Sequence, residues 1–182
     1  MAGKVVWHLT MSLDGFVAGP DDTMDWVFEL MDTRSPVGDE VIETTGAILA
    51  GRRWYDLATS RWDGRAGIYG GEWTGPVFVL THRPPDAKDA PGITFLSDGV
   101  EDAVATGLAA GEGRNLGLLG ANTAQQVLDA GLLDEIVIHL APVVLGDGIR
   151  FYGRPGAKQV KLERTLVAES GQLTDLRFRV VK

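Results

Sequence analysis

The sequence predicts an α/β protein built on a mixed central sheet, parallel in its middle, with a C-terminal antiparallel hairpin and helices on both faces. Three observations predict it. Apolar, β-branched runs alternate with segments of helical periodicity from Lys4 to about Ala130. The chain then turns to strands only, ending in two alternating runs separated by Glu169-Ser170-Gly171-Gln172. Glycine stands where strand meets helix at Gly51 and again at Gly120, the junction expected of parallel βα units.

Lys4–Met11 (KVVWHLTM) is apolar and β-branched and reads as a buried strand. Met24, Val27, Phe28 and Met31 follow helical spacing, so a helix over Thr23–Met31 is expected, with Thr23 as its N-cap. Gly46–Gly51 is a short buried strand leading into a helix from Arg52 to about Thr59. Residues 61–75, rich in glycine and aromatics, read as a long loop. Strands are expected at Pro76–Thr81, Ile93–Ser97 and Leu116–Leu119, and helices at Val100–Ala110 and Thr123–Ala130. Glu135–Leu145 is a long apolar strand interrupted at Pro142, because proline has no N–H to give a ladder. Lys161–Ala168 and Leu173–Val181 form the hairpin. No repeat or low-complexity segment divides the 182 residues, so a single domain spanning 1–182 is expected.

Composition narrows the function. With no cysteine, the chain can form no disulfide, thiolate metal site or cysteine nucleophile. Its three histidines, His8, His82 and His139, are far apart in sequence, so no metal site is expected. A net charge of −8 argues against bulk nucleic-acid binding, which needs a basic face. No apolar run approaches the roughly 18 residues of a membrane span, and no secretory pattern opens the chain. A cytoplasmic protein with a small-molecule ligand is expected, and an anionic ligand must be met by a local positive site.

Ligands of open α/β sheets sit beyond the carboxyl ends of the parallel strands. Four segments converge there. Gly51-Arg52-Arg53 joins a strand to a helix N-terminus, where backbone N–H groups and the helix dipole attract phosphate and the guanidinium groups add bidentate donors. Thr81-His82-Arg83, stopped by two prolines, suits the adenosine end of a nucleotide, above all a 2′-phosphate. Gly120-Ala121-Asn122-Thr123 opens a second helix and offers a second phosphate cradle, although no G-x-G-x-x-G fingerprint is present. The opening loop SLDGFVAGPDDTMDW (12–26) adds four aspartates and two large aromatics. Within it Asp25, beside Trp26, is the expected shielded carboxylate, able to bind an amino-pyrimidine edge or to hold a proton. Each of these features also has a plain structural reading: solvated arginines, a surface turn, an Asx turn at Asp14 and a dipole-complementing Asp25.

Together these segments resemble the dihydrofolate-reductase-like superfamily, nearest to the reductase domain of the bifunctional deaminase-reductase of riboflavin biosynthesis. The resemblance rests on TMSLDGFVAGPDDTMDW (10–26), LAGRRWYDL (49–57), VFVLTHRP (77–84), LLGANTAQQVLDAGLLDEIVIHLAPVVLGDGIRFY (118–152) and the hairpin. It implies the three-layer fold of that superfamily, NADPH as cofactor, and a homodimer. The zinc motif of a deaminase is not in the sequence, so a stand-alone reductase unit is implied. Carried over residue by residue, Ser12, Gly15, Phe16, Val17 and Ala18 border the nicotinamide, while Gly51, Arg52 and Arg53 meet phosphates. Thr81, His82 and Arg83 meet the 2′-phosphate or adenine, and Gly120, Ala121, Asn122 and Thr123 the pyrophosphate. Ser12, Asp14, Asp25 and Trp26 fall on the substrate side, with Asp25 as the catalytic candidate. Two positions depart from the pattern: Trp54 stands where a threonine is usual, and Ala121 where a second glycine is usual. A side chain at positive φ at Ala121 would be strained. The activity implied is NADPH-dependent reduction of a small heterocycle, most simply a ribosylaminopyrimidine. A dihydrofolate- or pterin-type reductase, a non-catalytic nucleotide-binding member and a flavin- or drug-binding module are the alternatives.

Overall fold

The computed structural model describes residues 3–30, 34–61, 64–84, 92–153 and 156–182. Ten strands are described: β1 (Val5–Ser12), β2 (Phe16–Ala18), β3 (Thr45–Gly51), β4 (Val77–Leu80), β5 (Ile93–Leu96), β6 (Asn115–Leu119), β7 (Glu135–Ala141), β8 (Ile149–Arg150), β9 (Leu162–Ser170) and β10 (Leu173–Val180). The helices are α1 (Asp25–Phe28), α2 (Pro36–Thr44), α3 (Arg52–Arg61), α4 (Val100–Ala110) and α5 (Ala121–Asp129). Eight strands form one sheet in the order β5-β4-β3-β6-β1-β7-β10-β9, and β2 pairs with β8 in a separate antiparallel ribbon. Pairing is parallel from β5 across to β7 and antiparallel through β10 and β9, as the alternation followed by a hairpin predicts.

Alternation along the central strands builds the two outer layers. Val5 and Trp7 of β1 join Leu49, Leu118 and Ile136 in a core that also takes Ala103 and Val104 of α4 and Ala124 and Val127 of α5. Val6 points to the other face, where Val137 meets Val37 and Val41 of α2. On that second face Ala50 and Val79 pack with Tyr55 of α3. Helices therefore cover both faces. Close approach of the layers depends on missing side chains: a Cβ on Gly107 of α4 would stand 2.6 Å from Leu116 Cδ1.

Several local expectations change. The helix over Thr23–Met31 shrinks to the single turn α1; Thr23 gives its hydroxyl to Pro20 O instead of capping it, and Met31 lies outside the described residues. Helix α2 was not expected, although Ser35 caps it through Gly38 N and Pro36 opens it. Residues 64–71, expected as loop, are a kinked 3-10 segment. The strand expected to reach Leu145 ends at Ala141, before Pro142. Helix α5 begins at Ala121, two residues earlier than expected, and the left-handed conformation falls on Gly120 (φ 90°), so Ala121 carries none of the strain its side chain threatened.

Candidate functional site

A cavity of about 1160 Å³ opens at the carboxyl ends of β1, β3, β4 and β6. That exceeds the roughly 300–1,000 Å³ usual for a drug-sized ligand and leaves room for a dinucleotide with a small substrate. Its floor is Trp7, stacked on Phe151 at 4.4 Å between ring centroids. Two helix N-termini face it. α3 starts at Arg52 directly after Gly51, and α5 starts at Ala121 directly after Gly120. They meet closely: a Cβ on Gly51 would stand 2.5 Å from Thr123 Oγ1. The first turns of both helices thus point their N–H groups at one region, where such groups can hold an anion.

Of the residues the sequence singled out, Val17, Ala18, Gly51, Arg52, Arg53, Thr81, His82, Arg83, Gly120, Ala121, Asn122 and Thr123 line this cavity. Arg52 reaches across to the Arg83 carbonyl and pairs with Asp56 at 2.7 Å. Arg53 pairs with Asp22 at 2.7 Å, and Asp22 holds a positive φ of 59°. Thr81 is buried and its hydroxyl accepts from Arg83 N at 3.1 Å, which fixes the turn that carries the Arg83 guanidinium to the rim. Two helix starts and the guanidinium groups of Arg52, Arg53 and Arg83, the first two paired with Asp56 and Asp22, are the donors that could hold an anionic ligand here. Trp54, the departure from the family pattern, lies on the wall.

The remaining candidates stand elsewhere. Asp25 is exposed and is not on the cavity wall, so the shielding expected of it is absent. The physical reason is the single-turn α1: the chain swings Asp22, Met24 and Phe28 to the cavity and leaves Asp25 in solvent. Trp26 is half-buried and also off the wall, as are Gly15 and the buried Phe16. Ser12 and Asp14 act on the loops. The buried Ser12 hydroxyl donates to Asp14 Oδ1 (2.7 Å) and accepts from Phe16 N (2.9 Å). Asp14 accepts from Leu145 N (3.1 Å) and Gly146 N (2.7 Å), stapling the β1–β2 loop to the segment before β8. The Ser12 hydrogen bond, with the two backbone N–H groups, holds the Asp14 carboxyl at about 2. A carboxylate depressed in the folded state stabilises the fold above the ordinary carboxylate range and loses that contribution as pH falls to about 2. The stability difference between wild type and Asp14→Asn, measured by denaturant unfolding, should therefore shrink across that interval. A difference unchanged by pH would show that the staple does not depend on the charge.

The histidines are where sequence reading missed most. His8, on the cavity wall, has Nε2 2.6 Å from His139 Nε2 and Nδ1 3.4 Å from the Tyr69 hydroxyl. His139 Nδ1 lies 2.6 Å from Asp175 Oδ1. Asp175 is fully buried, and its Oδ2 accepts from Ser35 (2.6 Å) and Ser170 (2.7 Å). Burial and then the neighbouring His139 push His8 down to about 3, so it is a neutral imidazole. Burial opposes charge on Asp175, but hydrogen bonds from Ser170, Ser35 and His139 outweigh it and hold the carboxyl below its ordinary value. Burial raises Tyr69 to about 12. Among the described residues no cluster of three potential ligands forms a metal site. No described helix is long and apolar enough to cross a membrane.

Fold and cavity together define a dihydrofolate-reductase-like α/β protein. The sequence profile of the RibD C-terminal domain family matches residues 3–174, and the chain belongs to that family. Uncharacterized protein YwjB of Bacillus subtilis (strain 168) is 24% identical over 186 residues, covering 98% of each chain. A protein of Shewanella sp. PV-4 named for riboflavin biosynthesis superimposes with a TM-score of 0.76 at 22% identity and 100% coverage of both chains. The deaminase/5-amino-6-(5-phosphoribosylamino)uracil reductase of Thermotoga maritima gives 0.65 at 16% identity; the match covers 99% of this chain and 57% of that one. These likenesses fix the fold.

Proposed function

We propose that the protein is an NADPH-dependent reductase of a small heterocycle of the ribosylaminopyrimidine type. One observation carries the reading. In a chain of net charge −8, the starts of α3 and α5 meet at Gly51 and Thr123, and Arg52, Arg53 and Arg83 stand around them. Arg83, just beyond the end of β4 and on the cavity wall, is the residue assigned to a 2′-phosphate, where each charge-assisted hydrogen bond would contribute about 1.5–3 kcal/mol. Membership of the RibD C-terminal domain family supports the same cofactor. A bound reduced nicotinamide supplies the hydride. The chain's own residues hold the phosphates at the helix starts and exclude water from the far end with Trp7, Val17 and Ile149.

The expected result is stoichiometric oxidation of NADPH with at least one member of a panel of aminopyrimidine ribosides and pterins, and calorimetric affinity for NADPH about tenfold or more above that for NADH. Equal affinity for the two cofactors would remove the 2′-phosphate assignment, and absence of oxidation with every substrate would remove the reductase. Trp54 on the wall favours one second reading, a non-catalytic nucleotide-binding protein, which would bind NADPH without oxidising it.

The same proposal extends to a homodimer. β9 is the sheet's edge strand, and Leu162 and Val167 on it are exposed. Unpaired edges of this kind invite a second copy. Light scattering at micromolar concentration should return the dimer mass; the monomer mass would rule the dimer out.

A further inference from the structure

We propose that His8 and His139, backed by Asp175, form a proton relay that opens into the cavity and protonates the substrate as it is reduced. The proposal rests on the reductase reading above and adds to it the source of the proton.

The register places the groups. Asp175 of β10 pairs with His139 of β7, and His139 pairs with Thr10 of β1. His8 lies two residues before Thr10, hence on the same face of the sheet, with its ring turned to His139. The chain of contacts has one end in the core and one on the cavity wall. At the buried end, the Asp175 carboxylate is saturated by Ser35, Ser170 and His139, so the proton on that side of His139 is fixed on Nδ1. In the middle, two ring nitrogens 2.6 Å apart require one shared proton, since two lone pairs or two N–H groups would repel. At the open end, the contact of His8 Nδ1 among the described residues is the long 3.4 Å one to Tyr69, a partner that a substrate atom can displace.

These constraints allow two states that differ by one proton. In the loaded state His139 carries protons on both nitrogens and donates through Nε2, and His8 carries its single proton on Nδ1, facing the cavity. In the discharged state the shared proton belongs to His8 Nε2, and His8 Nδ1 is a bare acceptor. Reduction of a carbon–nitrogen double bond, such as that of an opened glycosylamine, connects them. The carbon gains a hydride from the reduced nicotinamide, and the π electron pair moves to nitrogen. That nitrogen takes the proton from His8 Nδ1, and His8 Nε2 takes the proton of His139 Nε2. Solvent restores the proton afterwards. His8 stays neutral throughout, in keeping with the depression of its basicity by burial and by His139. The titratable and charged groups facing the pair are Asp175 and Arg177 of β10 and Tyr69, with Arg177 itself paired to Glu40 of α2. Their charges do not change while the pair gains or loses its proton.

Nitrogen NMR of ¹⁵N-histidine-labelled full-length protein tests the relay without cofactor or substrate. The His8 ring should switch from the Nδ1–H to the Nε2–H tautomer as pH rises and the pair gives up one proton, and the switch should vanish in His139→Gln. A His8 locked in one tautomer across the folded pH range overturns the relay. In steady-state assays, His8→Gln should lower kcat about 100-fold, within the 10²–10⁴-fold typical of a general acid. Its NADPH affinity should stay within about twofold, since no phosphate contact is touched. Wild-type kcat in His8→Gln overturns the relay even if the tautomer switches. A wild-type protein that oxidises no NADPH with any substrate overturns the reductase reading instead, and the tautomer measurement then decides the relay. Since Asp175→Asn leaves a buried network half-satisfied and threatens folding, His8→Gln, on the cavity wall, is the informative variant.

Discussion

Gly51→Val is expected to weaken NADPH binding at least about 100-fold while leaving a folded protein. Gly51 ends β3 with ordinary backbone angles, so a side chain there meets no φ penalty. What it meets is α5. The first carbon already stands 2.5 Å from Thr123 Oγ1, and valine adds two methyl groups in the same space. Thr123 is buried in the first turn of α5, whose N–H groups look into the cavity, so either its side chain turns aside or that turn moves. Overpacking of this kind costs about 1–3 kcal/mol of stability. The effect on binding is larger, because displacing the start of α5 removes several charge-assisted hydrogen bonds at once. Each is worth about tenfold or more, so the expected loss is at least about 100-fold. Calorimetry against NADPH, with thermal melting as the control for folding, measures both effects. A variant that binds NADPH normally would show that the phosphates do not lie at this junction.

The junction was legible in the sequence because it is local. Gly51-Arg52 and Gly120-Ala121 each follow an apolar run and precede a periodic one, and strand-to-helix glycines announce themselves in this way. The parallel middle of the sheet and its antiparallel hairpin followed from the same alternation. Helix α2 carries a signal too, Ser35-Pro36 with Val37 and Val41 one turn apart, but glycine and acidic residues dilute its apolar stripe. Asp25 misled for a different reason. Its place beside Trp26 suggested shelter, but shelter depends on how far the helix runs, and Thr23 gives its hydroxyl to Pro20 instead of capping a longer one. The His8–His139–Asp175 chain was not legible at all. Its members lie 131 and 36 residues apart, and only the β1–β7 and β7–β10 registers bring them together.

Gly148→Ala is the second substitution expected to act strongly, through the ribbon that lines one side of the cavity. β2 and β8 are short, and three features hold them: their mutual pairing, the Asp14 staple to Leu145 and Gly146, and the tight passage at Gly148. Gly148 has φ 135°, and a Cβ there would stand 2.1 Å from the Ala18 carbonyl oxygen. The obstacle is backbone, so no side chain can swing away. Gly146, two residues earlier, provides the comparison. Its φ of 77° is also unfavourable for alanine, yet a Cβ would meet nothing within 4 Å. Gly146→Ala should therefore cost only the conformational penalty, about 1–2 kcal/mol. Gly148→Ala adds a collision, bringing the expected cost to about 3 kcal/mol or more. That is a large share of the roughly 5–15 kcal/mol that keeps a domain folded. Activity should separate the two variants further. Val17, Ala18 and Ile149 all line the cavity, so β2 and β8 pushed apart at Gly148 would open that wall to water. Denaturant unfolding of both variants, together with kcat for NADPH oxidation, tests the argument. Equal stability losses at Gly146 and Gly148 would mean that backbone conformation alone matters there. A Gly148→Ala protein of normal kcat would mean that the ribbon takes no part in closing the site.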